Sequence, residues 1–176
     1  MSESRENLLD LLCRALEMAH KGKILYEKAV VGCENDLSQE IFGILKNEEE
    51  DHESLIREIY ESLKTGKDWS EAWTSCTIGG GPKKPIFDRL AEKYPPANSC
   101  VTETEALNLA VAFESACVDF YSQQLNGATD PVERQFLEAM LREERSHHRL
   151  LSDMQFYFDD PQGWFLLKER PSLDGE

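Results

Sequence analysis

The chain has 176 residues, enough for one domain and short for two. Hydrophobic residues make up 40% and charged residues 30% of it, a composition that can bury a core and excludes a disordered tail. Acidic residues outnumber basic ones by 34 to 19, and the net charge of -15 argues against a nucleic acid or an anionic membrane surface as a partner. No apolar run reaches the roughly 18 residues of a membrane span, and the N-terminus has no pattern of a secretion signal.

The cysteines indicate a cytoplasmic protein. Their number is odd and none of them form a Cys-x-x-Cys pair, so we expect free thiols in a reducing compartment and no cysteine-only metal site. The five positions are Cys13, Cys33, Cys76, Cys100 and Cys117.

Helical periodicity appears in four segments, which in chain order are 4–32, 36–65, 102–127 and 130–159. The last three have predicted N-terminal caps at Asp36 with Gln39, Thr102 with Glu105, and Asp130 with Pro131. The links 33–35 and 128–129 are short, so each neighbouring pair should form an antiparallel hairpin. No β pattern appears.

A long connection, 66–101, joins the two predicted hairpins. It should contain a short helical piece near 86–93, and its aromatic density predicts that it packs across the helices through Trp69, Trp73, Ile86 and Phe87. The predicted fold is therefore an all-α four-helix bundle, built from two helical hairpins joined by a long crossover. We expect 1–176 to be a single domain with a C-terminal tail at 160–176.

The two hairpins match each other at a constant offset of 95 residues, without insertion. Matching pairs are Leu12 and Leu107, Tyr26 and Tyr121, Glu49 and Glu144, and His52 and His147. Such a duplication implies a pseudo-two-fold axis, and a site on that axis should draw equivalent residues from both halves.

Two Glu-x-x-His motifs, Glu49 to His52 and Glu144 to His147, occupy matching positions in the second and fourth predicted helices. Residues three apart share one side of a helix, and in both helices that side is the apolar stripe. Glu114 lies on the apolar stripe of the third helix. A single glutamate there could be a boundary residue, but three inward glutamates and two inward histidines together predict a metal site.

Other polar residues are assigned to the surface or left open. A third Glu-x-x-His, Glu17 to His20, falls on the solvent face of the first helix, and His148 is interpreted as an outer residue of the site or a surface residue. Cys117 is interpreted as a buried packing residue, with thiolate ligation as the alternative.

In these motifs the chain resembles the rubrerythrin-like diiron proteins of the ferritin-like superfamily, and the resemblance covers essentially its whole length. The resemblance rests on the paired Glu-x-x-His motifs, on Glu114 placed seven residues before Tyr121, and more weakly on the tail 160–165. It implies that Glu49 and Glu144 bridge two irons, that Glu114 and His147 complete one iron, and that His52 belongs to the other. Tyr26 and Tyr121 would donate hydrogen bonds to ligand carboxylates, or would simply be core tyrosines with satisfied hydroxyls.

The expected function is that of a non-haem iron oxidoreductase that reduces peroxide or dioxygen. Because the chain has no rubredoxin-type cysteine pairs, it would need an external electron donor. The alternatives are an iron-handling or metal-binding protein without turnover, and a metal-free interaction bundle. We expect iron, at one or two per chain, although another divalent metal would also suit the residues, and we expect a homodimer.

One departure from the family pattern concerns the first helix. Ala19 stands seven residues before Tyr26, where the family has a glutamate. The iron nearest His52 should therefore bind weakly or be absent. Lys23, one turn further on, either extends to solvent or brings its ammonium to the carboxylates in place of a second metal's charge.

Overall fold

The computed structural model describes residues 3–74, 84–93 and 101–169. All regular structure in these ranges is α-helical, and they contain no strand, as the sequence predicts. The helices are α1 (Glu3–Gly32), α2 (Asp36–Lys64), α3 (Trp69–Thr74), α4 (Lys84–Lys93), α5 (Val101–Gly127), α6 (Pro131–Asp159) and α7 (Pro161–Glu169). None of these described helices is long and apolar enough to cross a lipid bilayer.

The four long helices pack as two antiparallel pairs, α1 with α2 and α5 with α6. In the first pair, Lys23 contacts Glu50 near the middle, and the Arg5 guanidinium donates to the carbonyl of Leu63 at the far end. The second pair is held similarly, with Gln155 Nε2 donating to Asn108 Oδ1 at 2.7 Å. Helix α1 also packs on α5, and this contact brings the two pairs together.

Two of the three predicted caps are wrong. Asn35 rather than Asp36 caps α2, because its side-chain oxygen accepts hydrogen bonds from the backbone N–H groups of Leu37 and Ser38. Thr102 is already the second residue of α5. Asp130 does cap α6, with Pro131 at its first position.

The described part of the crossover contains two short helices that pack on α6. Trp69 of α3 meets Phe136 edge to face, and Phe87 of α4 meets Tyr157 in the same way. The predicted packing is therefore confirmed for Trp69 and Phe87. The side chains of Trp73 and Ile86, with all of 75–83 and 94–100, lie outside the described residues.

The predicted tail begins with a helix, which the sequence reading missed. Asp160 accepts a hydrogen bond from the N–H of Gly163 and is followed by Pro161 at the first helical position. This is the same signal that marks α6, so it could have been found. Trp164 of α7 is buried against Phe87 and Tyr157, whereas 170–176 lie outside the described residues.

The apolar core forms two clusters. One contains Tyr26, Phe42 and Leu150, and the other contains Ala19, Ile56 and Met140. Along α2 and α6 the predicted ligands fall between residues of the two clusters. Cys13 and Cys117 are free thiols, as expected.

Candidate metal centre

Four of the five predicted ligands come together in one buried group, which we call the ligand cluster: Glu49, Glu114, Glu144 and His147. One ligand atom from each lies within 4.8 Å of the others. Three helices supply them, α2, α5 and α6, and all four side chains are buried. This spacing suits a single metal ion, because ligand atoms on opposite sides of an ion at ordinary bond lengths stand about 4 Å apart.

His147 lies at the centre of the ligand cluster. Its Nδ1 atom is 3.4 Å from Glu49 Oε1, 3.6 Å from Glu114 Oε1 and 3.7 Å from Glu144 Oε2. The imidazole therefore presents one nitrogen to all three carboxylates. Such an arrangement of donors around a common centre is what a cation would require.

His52 lies beside the ligand cluster rather than within it. Its Nδ1 atom is 3.8 Å from Glu144 Oε1 and 3.9 Å from Glu49 Oε2, and its ring stacks on His147 with centroids 5.6 Å apart. It thus faces the two carboxylates that the resemblance assigns to both irons.

Each of the five predicted ligands has a buried polar atom without a hydrogen-bond partner among the described residues. These atoms are Glu49 Oε1, His52 Nδ1, Glu114 Oε2, Glu144 Oε2 and His147 Nδ1, and they make up five of the eight such side-chain atoms in the described part of the chain. An unpartnered buried polar atom is costly, so their concentration at one point indicates a missing common partner. A metal ion fits this set of atoms.

Two hydrogen bonds orient the ligand cluster from outside. The Nε2 atom of His147 lies 2.9 Å from Glu48 Oε2, and the hydroxyl of Tyr26 donates to Glu114 Oε1. Tyr26 was predicted in this role, but Glu48 was not. Glu48 is partly buried and its repeat partner Glu143 is buried, and this matched pair of acidic residues beside the ligands was an available signal.

Crowding of acidic groups controls ionisation in the ligand cluster. Burial and the charges of Glu49 and Glu114 raise the pKa of Glu144 well above its usual value of 4.5. For Glu49, burial opposes ionisation, but the neighbouring imidazoles of His147 and His52 outweigh it and lower the pKa. Burial disfavours the charged form of His147, yet the surrounding carboxylates, Glu114 foremost, raise its pKa well above 6.5. Without metal, protons on Glu144 and His147 thus offset the negative charge.

Helix α1 packs closely on the ligand cluster but contributes no ligand to it. Ala19 is buried, with no carboxylate to offer, and Gly22 lies so close to Glu49 that an added Cβ would stand 3.0 Å from its Cγ and Cδ atoms. Tyr121, the second predicted hydroxyl donor, is fully buried and matches Tyr26 in the repeat. Tyr26 donates to Glu114, but the residue that matches Glu114 in the other half is Ala19, which has no carboxylate to accept from Tyr121. Burial and the charges of Glu144 and Glu49 raise the pKa of Tyr121.

The hypothesis that Lys23 replaces a metal charge is not what the structure shows. The Lys23 ammonium lies 3.0 Å from Glu50 Oε1 and 3.8 Å from Glu53 Oε2, on the outer side of the α1–α2 pair. Lys23 thus extends towards solvent, which was the other of its two expected positions. Pairing with hydrated surface carboxylates costs less free energy than bringing the ammonium to buried carboxylates.

The other candidate residues of the sequence analysis lie outside the ligand cluster. His20 is more than half exposed and 3.4 Å from Glu53, and Glu17 pairs with Lys21 on the surface. His148 lines a groove on the outside of the α5–α6 pair. Cys117 is buried, and burial with the charges of Glu144 and Glu114 raises the pKa of its thiol. It is not one of the residues of the ligand cluster.

Carboxylate oxygens and an imidazole nitrogen suit iron, manganese or zinc, so the donor set indicates a metal ion without selecting one. No family model and no curated protein matches the sequence, and no solved structure matches the fold.

Proposed function

We propose that this protein is a non-haem iron oxidoreductase of the rubrerythrin-like type, with a ferritin-like four-helix bundle. The observation that carries the proposal is the set of five buried, unpartnered ligand atoms contributed by Glu49, His52, Glu114, Glu144 and His147. A purely structural polar cluster would be expected to satisfy its own atoms, because each unsatisfied one costs about 1–3 kcal/mol.

The residues of this chain have distinct roles in the proposal. Glu49, Glu114, Glu144 and His147 hold one iron ion, and His52 with the shared carboxylates Glu49 and Glu144 offers a second, weaker position. Iron supplies the ability to pass electrons to peroxide or dioxygen. The protein side chains orient the donors and bury them away from bulk water, and Glu144 and His147 would release their protons when the metal binds.

Ala19 and Gly22 leave the α1 side of the centre without a protein ligand. Gly22 packs directly on Glu49, so α1 closes this side of the centre without supplying a donor atom. Reducing equivalents come from an external donor protein or small molecule, and the working protein is a cytoplasmic homodimer.

The test is peroxide consumption by protein of known metal content. Protein loaded anaerobically with ferrous iron should consume hydrogen peroxide in proportion to its iron, and adding a reductant should allow repeated turnover. The matched control is Glu114→Gln, which keeps the size and the Tyr26 contact but removes one charge. If the iron-loaded protein leaves peroxide unchanged, the oxidoreductase proposal fails.

The incomplete ligand set of α1 favours a second candidate, a metal-binding protein without turnover. This candidate predicts tight, stoichiometric iron uptake together with no rate of peroxide or dioxygen reduction above that of free iron. If the purified protein takes up no transition metal, both candidates fail and the metal-free interaction bundle remains.

A further inference from the structure

A groove of about 420 Å³ runs between α5 and α6 on their outer face, on the other side of these helices from the ligand cluster. Its polar lining consists of Ser115 and Asp119 from α5 and Arg145, His148, Arg149 and Ser152 from α6. The volume lies within the range of small-molecule sites. The groove is therefore large enough for a compact organic ligand.

The groove is notable for its cationic side chains. Arg145 and Arg149 stand one turn apart on the same face of α6, and in the described part of the chain neither guanidinium has a carboxylate within 4.0 Å. Some other cationic residues of the protein do have such partners. Arg57 lies 2.8 Å from Glu53, and Lys93 lies 2.9 Å from Glu40. Two arginines thus line one groove in a chain of net charge -15.

Two serine side chains lie beside these charges. The Ser152 hydroxyl donates to the backbone carbonyl of His148 at 2.8 Å, which fixes its oxygen at the wall of the groove. Ser115 lines the opposite wall, and Val118 contributes an apolar surface next to it. Asp119 is the acidic residue of the lining, and it disfavours anions that would lie against α5.

From this arrangement we propose that the α5–α6 groove binds a small organic oxyanion, with its charged group on Arg145 and Arg149 and its apolar part against Val118. A guanidinium donates two parallel hydrogen bonds to a phosphate or a carboxylate, so both groups share the required chemistry. The bound molecule would be an organic phosphate or an organic carboxylate.

The site is independent of the metal centre. Arg145 follows Glu144 and Ser115 follows Glu114 in the chain, but consecutive residues point about 100° apart on a helix, so one set faces inward and the other outward. Metal binding and anion binding therefore use different atoms. Loss of one does not imply loss of the other.

The experiment is a calorimetric titration of the full-length chain with three probes: inorganic phosphate, phenyl phosphate and benzoate. Phenyl phosphate and benzoate distinguish the two kinds of oxyanion, and inorganic phosphate measures what the apolar part adds. The test variant is Arg145→Ala combined with Arg149→Ala. The control is Arg142→Ala, which removes one positive charge, against two in the test variant, from an exposed position on the same helix outside the groove.

We expect saturable 1:1 binding of phenyl phosphate or benzoate, at least tenfold weaker in the double alanine variant and nearly unchanged in Arg142→Ala. Tighter binding of phenyl phosphate identifies an organic phosphate, and tighter binding of benzoate identifies an organic carboxylate. Absence of saturable binding by all three probes would overturn the proposal, as would an equal loss in the control variant.

A second variant, Arg145→Lys with Arg149→Lys, keeps the charge and guards against misfolding of the alanine variant. It replaces each planar guanidinium by an ammonium that cannot form the paired hydrogen bonds. A several-fold weaker affinity supports the proposal, and an unchanged affinity overturns the role of the two guanidinium groups.

Discussion

The Nε2 atom of His147 lies 2.9 Å from Glu48 Oε2, so a residue of α2 holds an imidazole of α6 with its other nitrogen towards three carboxylates. Such contacts fix the ring orientation of a ligand histidine and increase its basicity. Glu48 thus orients the proposed ligand from the helix that also carries Glu49.

Removing this contact should weaken metal binding without abolishing it. We expect Glu48→Ala to lower ferrous-iron affinity about 10–100-fold, measured anaerobically by competition with a chromophoric chelator. Glu48→Gln keeps an acceptor oxygen, so its iron affinity should lie between those of Glu48→Ala and the unaltered protein. The control is Glu50→Ala on the same helix, which loses a surface contact with Lys23. An equal loss of affinity in this control would contradict the positioning role.

Restoring a carboxylate on α1 should complete the second metal position. We expect Ala19→Glu to raise the metal content from about one towards two per chain, measured by elemental analysis after iron loading. Ala19→Gln is nearly the same size without the charge and should leave the stoichiometry unchanged. Two equally tight ions in the unaltered protein would refute the predicted asymmetry of the two positions.

The hydroxyl of Tyr26 should matter more than that of Tyr121. Tyr26→Phe removes the hydrogen bond to buried Glu114, so we expect a loss of about 1.5–3 kcal/mol in the free energy of unfolding of the metal-free protein. Tyr121→Phe should cost less, because Ala19 occupies the position that matches Glu114. Urea denaturation of both variants measures the difference, and equal costs would count against this interpretation.

The close approach of α1 to Glu49 predicts a steric effect. In Gly22→Ala the new Cβ would stand 2.9 Å from Phe113 Cε1 and 3.0 Å from Glu49 Cγ, so we expect lower stability and weaker metal binding. Gly43→Ala in α2 meets nothing within 4 Å and should stabilise the protein by about 0.5–1 kcal/mol. Chelator competition and urea denaturation test both, and a Gly22→Ala protein as stable as Gly43→Ala would exclude the contact.

The stability of the metal-free protein should fall as the pH rises from 6 to 9. The folded-state pKa values of Glu144 and His147 are raised above their usual 4.5 and 6.5, so these groups bind protons more tightly in the folded protein. The stability that these two groups contribute is complete at pH values below the pKa of each group in the unfolded chain. It is lost as the pH rises towards the pKa of each group in the folded protein.

Denaturation of chelator-treated protein at several pH values measures this effect. Iron replaces the protons, so iron affinity should rise with pH and the loaded protein should lack the decline. Glu144→Gln cannot ionise and should show a smaller decline than the unaltered chain. A metal-free protein whose stability is constant from pH 6 to 9 would contradict the predicted protonation.

The sequence by itself determined the helices and their pairing. The 3.6-residue periodicity reproduces the four long helices to within about one residue at each end, because apolar stripes of that length have no other way to be buried together. The same periodicity turned Glu49, Glu114, Glu144 and His147 inward, and the repeat placed them at matching heights. Local hydrogen bonds were less predictable, since Asn35 and Asp36 are both good caps and only one can occupy the position.

Only the tertiary structure decided what lies across the helix interfaces. Whether Lys23 faces the carboxylates or the solvent depends on where α2 places Glu50 and Glu53, and Glu48 reaches His147 only because α2 lies against α6. Gly22 is required because of the position of Glu49, which belongs to another helix. Helical phase fixes the direction of a side chain from its own axis, but the partner it meets depends on distances between axes, and those are set by packing of the whole core.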